Sequence, residues 1–323
     1  VAVFGASGYT GRFIVGELVR RGWRPILCGR GGERLSAVAR LHPDLEVRVA
    51  SLAEPGSIEL AFHGVTAVIN AAGPFATTSA PIIEAAVRAR VPYAGVAAEP
   101  DVVADAFHRH HRAARAAGVP VAPACGFYGG LGDLLATAAM GDWVEADEVC
   151  LAFALSSWRP TAGTRATIAA ASARRGGQRL VFREGALQLT DGPAPVGSWD
   201  FPAPFGRQAV AQEFTTADAV TMARHLRWRH LGECMTLAAL DDLAGPELDA
   251  RSDATGPSDQ RFLVEAVVRR GSLERRRVAS GQDIYARSAP LVVEAMQRLV
   301  ALGESRAGVL ALGELGDAEG FLL

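Results

Sequence analysis

The sequence predicts an α/β chain: a doubly wound parallel sheet followed by a second region in which strands outnumber helices. Three observations carry that prediction. Short apolar or β-branched runs alternate with helix-period segments as far as residue 122, the pattern of parallel strands joined by crossover helices. The first run leads through a glycine turn directly into a helix. After about residue 145 the alternation gives way to longer strand-like runs broken by glycine and proline.

The elements follow in order. Val1–Phe4 reads as a buried strand ending at Gly5-Ala-Ser-Gly-Tyr-Thr-Gly11. Phe13, Ile14, Leu18 and Val19 then fall at helical spacing, with Arg20 and Arg21 at the carboxyl end and Gly22 as the left-handed stop. Pro25–Cys28, Leu45–Ala50, Ala67–Asn70, Tyr93–Val96 and Val119–Ala122 read as further strands. Helices are expected over Pro55–Phe62, from Ser79 as N-cap through Pro81 to Arg90, and over Asp101–Ala117. Beyond residue 145, Val149–Leu155 reads as a strand and Thr161–Arg175 as an Ala-rich helix. Strand-like pieces recur near 179–190, 207–215, 233–240 and 261–269, the last returning across 273–280. The stretch 191–206 reads as a turn-rich connection, 244–260 as an exposed loop, and 287–302 as an amphipathic helix before a Gly-rich tail.

Composition excludes several function classes. The 323 residues suffice for two average domains or one large domain with an insert. At 49% apolar and 21% charged, the chain can bury a sizeable core. A formal charge of −2 sets up no global field toward nucleic acid or anionic membrane. No apolar run approaches the roughly 18–20 residues of a membrane span. The amino terminus carries no export pattern, and whether residues precede Val1 is left open. Cys28, Cys125, Cys150 and Cys234 lie far apart without zinc spacing, which suits a reducing cytoplasm and no metal. All 33 basic residues are arginine, so Schiff-base chemistry, a lysine base and a Tyr-x-x-x-Lys pair are excluded.

Strand, glycine turn and helix together are the context a dinucleotide fingerprint requires. The chain turns at Gly5, a pyrophosphate approaches the backbone near Gly8, and the helix packs closely at Gly11. Exposed amides at the helix start, with the dipole behind them, hold the anion, and Ser7, Tyr9 and Thr10 complete the turn. About 20 residues on, where an NAD enzyme places an acid on the ribose, this chain has Gly29 and Arg30. A guanidinium there accepts a 2′-phosphate, so the expected cofactor is NADP; the alternative is that Arg30 and Arg34 only cap and solubilise the next helix. Ligands bind beyond the carboxyl ends of such strands. Gly5–Gly11, Arg30, Asn70–Phe75, Glu99 and Gly126–Asp133 are therefore expected along one edge. Asn70, Ala71, Gly73, Pro74 and Phe75 are expected at the nicotinamide ribose, the alternative being strand termination.

These motifs, with Tyr93–Glu99, Gly126-Phe127, Asp133-Leu134, Thr161-Ala-Gly-Thr164 and Gly281-Gln-Asp-Ile-Tyr285, resemble the saccharopine dehydrogenase-like NAD(P)-dependent oxidoreductases, a group that includes trans-acting enoyl reductases. The opening motif alone also resembles N-acetyl-glutamyl-phosphate reductases, but no cysteine here fits their catalytic motif. The resemblance implies a Rossmann-type NADP-binding domain, residues 1–130 and 285–323, completed by the C-terminal helix. A substrate domain with a mixed or antiparallel sheet, residues 131–284, is inserted between. The family's Tyr-x-Asp-x-x-Gly-Glu stands here as Tyr93-Ala-Gly-Val-Ala-Ala-Glu99, without the middle acid, so saccharopine itself is not the expected substrate.

Three residues are candidates for chemistry. Tyr128, in the loop Gly126-Phe-Tyr-Gly-Gly-Leu-Gly132, can donate a proton to a developing enolate, alkoxide or amine; otherwise it is an aromatic lid. Glu99 follows a strand at the functional edge; otherwise it is a helix N-terminal charge. Arg165, with Arg159 and Thr164, can grip a carboxylate or phosphopantetheine-type anion above Trp158; otherwise it is a surface arginine. Tyr93 is expected in the core, Asp133 as an N-cap, and His108, His110 and His111 on a solvated face. The leading expectation is an NADPH-dependent reductase of an activated C=C, C=N or C=O bond in a small or carrier-tethered metabolite. An imine-reducing, amino-acid-type dehydrogenase is the alternative within enzymes, and a silent NADP-binding sensor or scaffold the alternative outside them. No nucleic acid or membrane partner is expected, and a homodimer is left open.

Overall fold

The computed structural model describes residues 1–245 and 256–322. Strands β1 (Ala2–Phe4), β2 (Ile26–Gly29), β3 (Val47–Val49), β4 (Val68–Asn70), β5 (Tyr93–Gly95) and β6 (Pro120–Ala122) alternate with helices α1 (Tyr9–Arg20), α2 (Gly32–Leu41), α3 (Pro55–Ala61), α4 (Phe75–Ala89) and α5 (Pro100–Ala117). Next come α6 (Leu131–Met140), β7 (Ala146–Leu155), α7 (Ala162–Arg175) and the hairpin β8 (Arg179–Arg183) and β9 (Ala186–Thr190). They lead to β10 (Val196–Asp200), β11 (Arg207–Gln212), α8 (Ala217–Met222), β12 (Trp228–Thr236), α9 (Leu237–Ala244), β13 (Arg261–Arg270) and β14 (Leu273–Gln282). The chain ends with α10 (Ile284–Leu302), β15 (Gly308–Val309) and α11 (Ala318–Leu322).

Two main sheets result. The first is a seven-stranded parallel sheet of order β15-β6-β5-β4-β1-β2-β3, the doubly wound Rossmann-type arrangement. Its strands read as continuous apolar runs because helices cover both faces. Val292, Val293 and Met296 of α10 share one of those cores with Ile14, Val15 and Leu18 of α1. The second sheet is mixed, of order β10-β11-β12-β7-β13-β14, with β12 and β7 parallel and the other pairs antiparallel. Phe153, Val264, Ala266 and Val268 on one of its faces pack with Leu135 and Ala139 of α6.

Several elements differ from the sequence reading. Helix α4 begins at Phe75, a full turn before Ser79, which lies buried inside it. Pro81 suggested a helix start, but the earlier turn is held by Thr77 Oγ1 donating to Pro74 O and Thr78 Oγ1 donating to Ala72 O. The connection 191–206 contains β10: an edge strand tolerates flanking prolines and glycines because half of its backbone groups need no partner. Residues 237–240, expected in a strand, open α9, and α8 had no sequence signal at all. Part of the expected loop 244–260 lies outside the described residues. Of the histidines of α5, His108 is exposed as expected, and the other two are not on a solvated face. His110 is buried, which pushes its pKa down, and His111 Nδ1 accepts from Val309 N at 3.2 Å. His111 is covered by β15, which packs against α5 from nearly 200 residues away.

Candidate active site

The glycine turn forms one wall of a cavity of about 1190 Å³, larger than the roughly 300–1,000 Å³ of a pocket for one drug-sized ligand. Gly5 adopts φ +89°, and a Cβ on it would lie 2.8 Å from the Ala71–Ala72 peptide. Only glycine lets β1 and the β4 loop meet there. Gly8 N donates to Gly5 O at 2.9 Å, closing the turn. No side chain caps α1 and no acid sits in its first turn, so the helix start presents amides and dipole to an anion. Gly11 does not line the cavity. It is the contact at which α1 lies against Gly5 and Ala6.

Ser7, Gly8, Tyr9 and Thr10 line this end with Arg30 and Arg34, both exposed at its rim. Glu99 is the single acidic residue among the described lining residues. Ala71, Gly73, Pro74 and Phe75 line the wall beyond β4. Asn70 itself corrects the sequence reading: it is fully buried and faces away from the cavity. Its Nδ2 donates to Tyr93 Oη at 3.2 Å and its Oδ1 accepts from Ala72 N at 3.0 Å. Asn70 thus shapes the loop that lines the site. Tyr93 is in the core as expected, its hydroxyl pKa pushed up by burial.

Tyr128, Trp158, Phe214 and Tyr285 also line the cavity, Tyr285 meeting Tyr9 edge-to-face at 5.8 Å. The Tyr128 ring lies 5.9 Å from Trp158, 6.3 Å from Phe214 and 5.0 Å from Phe127, an aromatic enclosure. Tyr9, Tyr128 and Tyr285 all reach the cavity, but their hydroxyls differ. Tyr9 Oη donates to Asp283 Oδ2 at 2.7 Å. Tyr285 Oη accepts from Trp158 Nε1 at 3.3 Å and pairs with Thr164 Oγ1 at 2.9 Å. Tyr128 Oη is buried without a partner among the described residues. Burial, then the neighbouring Tyr285 and Asp218, push its pKa well above 10.0, so it holds its proton at neutral pH.

Glu99 reaches the cavity as the residue preceding α5. Its Oε2 accepts from Ala98 N at 3.0 Å, while Oε1 is buried without a partner among the described residues. Burial raises its pKa, and backbone amides oppose the rise. Arg165 is not among the cavity residues. Helical spacing turns Thr164, Thr167, Ile168, Ala171 and Arg175 inward, leaving Arg165 off the lining face. Arg175 Nη2 donates to Asp101 Oδ1 at 2.9 Å, which ties α7 to α5. Arg159 is exposed and likewise outside the lining. Asp133 does not cap α6: Gly130 holds that position. Its Oδ1 meets His225 Nε2 at 2.7 Å and its Oδ2 accepts from Gly313 N, both outside the cavity. Among the described residues no three His, Cys, Asp or Glu side chains gather as a metal site, and no helix is long and apolar enough to cross a membrane.

Sequence reasoning did not foresee Phe214 and Thr216, which line the aromatic end. Neither stands in a recognisable motif, and only the packing of β11, α8 and β12 brings them there.

Comparisons with known proteins agree with this geometry. Residues 5–119 match the NAD(P)H-binding family model. A trans-acting enoyl reductase of Mycobacterium leprae is 29% identical over 133 residues, 39% of this chain and 32% of that protein. A saccharopine dehydrogenase-like oxidoreductase of Bos taurus is 25% identical over 145 residues, 39% of this chain and 34% of that protein. The matches thus span about a third of the length of these curated relatives. Saccharopine dehydrogenase (L-Glu forming) from Saccharomyces cerevisiae superposes with a TM-score of 0.65 at 10% identity, covering 97% of this chain and 95% of that one. The chain therefore has the saccharopine dehydrogenase fold, with an NAD(P)H-binding region at its amino-terminal side.

Proposed function

We propose that the chain is an NADP-dependent reductase of a neutral, apolar substrate carrying an activated C=C or C=O bond, whether free or carrier-tethered. The observation that carries the reading is one continuous cavity. Its lining joins an uncapped glycine-turn helix with Arg12, Arg30 and Arg34 to the Tyr128 hydroxyl, which has no partner among the described residues and sits in an aromatic enclosure.

The first end fits the dinucleotide. Gly5 and Gly8 keep the backbone open to a pyrophosphate, and Arg30 and Arg34 offer guanidinium groups where no acid competes for the ribose hydroxyl. When bound, the nicotinamide supplies hydride chemistry. Tyr128 supplies the proton. It is a buried donor with no acceptor among the described residues, held protonated, and it donates to the substrate oxygen on which negative charge develops. Trp158 and Phe214 exclude water and take up a flat, apolar group. Among the described lining residues Arg175 is held by Asp101 through Nη2 rather than left for a substrate carboxylate. This favours an enoyl or carbonyl acceptor over an amino-acid imine.

The test follows NADPH absorbance with an aryl enone, an enoyl thioester and an α-keto acid plus ammonia as acceptors. Consumption with either of the first two supports the reading. Consumption with the third alone returns the amino-acid-type dehydrogenase, and tight NADPH binding without consumption returns the sensor.

A further inference from the structure

Beneath Tyr128 lies a buried acidic cluster that the reading above does not use. Asp218, at the start of α8, is fully buried, and Glu233 on β12 and Thr216 are nearly so. Asp218 Oδ2 accepts from Gly129 N at 2.7 Å and from Thr216 Oγ1 at 2.9 Å, and its Oδ1 accepts from Asp133 N at 3.1 Å. Thr221 Oγ1 donates to Gly129 O at 3.0 Å. The peptide group immediately after Tyr128 is therefore gripped by α8. The fit is close: Gly129 has φ +86°, and a Cβ there would lie 2.6 Å from Ala124 Cβ and 2.9 Å from Ala217 Cβ.

The proton count is fixed by Thr216. Its hydroxyl oxygen accepts from Asp218 N at 3.1 Å, and it touches both Asp218 Oδ2 and Glu233 Oε1, the latter at 2.6 Å. A hydroxyl has one hydrogen to give, so one of the two carboxyls must carry a proton and donate it back. Asp218 already receives two backbone amides, whereas Glu233 receives only Thr216 N. The charge belongs on Asp218 and the proton on Glu233.

We propose that ionised Asp218 is the positioning residue for Tyr128, and that Glu233 is the neutral, protonated member of the cluster. The first half rests on the catalytic reading of Tyr128; the second does not. Burial raises the pKa of both carboxyls, in line with one of the two holding a proton.

Two variants and one wild-type measurement test this. In Glu233→Gln the amide reproduces both contacts, donating to Thr216 Oγ1 and accepting from Thr216 N. It is expected to keep kcat within about twofold while losing one protonated-carboxyl C=O band from the infrared spectrum. In Asp218→Asn an amide NH₂ must face Gly129 N, Thr216 Oγ1 or Asp133 N. With an aryl enone as acceptor, kcat is expected to fall about 10–100-fold while KM for NADPH stays within about twofold. In the wild type the Gly129 amide is expected to be strongly protected from hydrogen exchange, which requires no variant to fold. An unchanged infrared band in Glu233→Gln overturns the proton assignment. Free exchange at Gly129, or an Asp218→Asn enzyme with full kcat, overturns the positioning role. If no acceptor is reduced at all, the catalytic reading fails, yet the infrared and exchange results still decide the cluster.

Discussion

Helix α1 contains its own controlled experiment, because Gly11 and Gly16 occupy the same helix in opposite surroundings. A Cβ at Gly16 would meet nothing within 4 Å. Gly16→Ala therefore gains helix propensity without a steric cost, about 0.5–1 kcal/mol. A Cβ at Gly11 would lie 2.9 Å from the Gly5 carbonyl carbon and 3.0 Å from Ala6 Cα, and nearer still to the Gly5 oxygen. All three are backbone atoms of the cofactor turn, so no side chain can swing aside. Overpacking costs about 1–3 kcal/mol where side chains yield, and rigid neighbours put Gly11→Ala at or above the top of that range, even after the same propensity gain. The two variants should thus differ by about 3 kcal/mol or more, at least roughly 6 °C in melting temperature at about 2 °C per kcal/mol. Thermal melts followed by circular dichroism measure the difference. Calorimetric titration with NADPH should show that Gly11→Ala also weakens cofactor binding, since α1 must move off the turn. A Gly11→Ala protein that melts with or above the wild type would refute the close helix–strand contact and the turn geometry built on it.

Three further outcomes follow from the site. Arg30→Ala removes a charge-assisted contact of about 1.5–3 kcal/mol; at an exposed rim the lower end applies, so NADPH affinity should fall about tenfold with NADH affinity unchanged. Equal losses for both nucleotides would sink the 2′-phosphate assignment. Tyr128→Phe should lower kcat about 10²–10⁴-fold and leave NADPH binding intact; undiminished turnover would remove Tyr128 as the donor. His225 is a pH reporter: burial alone would lower its pKa, but Asp133 at 2.7 Å raises it above 6.5. Its contribution to stability is complete below pH 6.5 and is lost as pH rises through the raised value. Denaturant melts of His225→Asn should therefore show the largest deficit below pH 6.5 and a shrinking one in alkali, and a pH-independent deficit would contradict the pairing.

Much of the fold and one half of the site were legible before any coordinates. Gly5, Gly8 and Gly11 announce a turn whose whole geometry is completed within seven residues and one neighbouring strand. Arg30 directly follows β2, at the carboxyl edge of the parallel sheet and in the cavity lining, as its place in the sequence indicated. The other half was legible only as residue types. Tyr128 could be singled out, but not the fact that its hydroxyl has no partner among the described residues while those of Tyr9 and Tyr285 are satisfied. Arg165 was expected at the site with Arg159 and Thr164, but on α7 it is Thr164 and Arg175 that line the cavity, since neighbouring positions on a helix point to different faces. Asn70 was placed in the site because it ends a strand there, yet its amide is drawn inward by Tyr93.

The sequence by itself determined the alternation of strands and helices through β6, the glycine turn and the absence of any lysine from the chemistry, because these depend on periodicity and on contacts between near neighbours. Only the tertiary structure decided which polar groups are satisfied. Gly129 and Asp218 are 89 residues apart, His111 and Val309 198 apart, and Tyr9 and Asp283 274 apart. Hydrogen-bond partners at such separations are set by the packing of whole elements, and no local pattern in the chain records them.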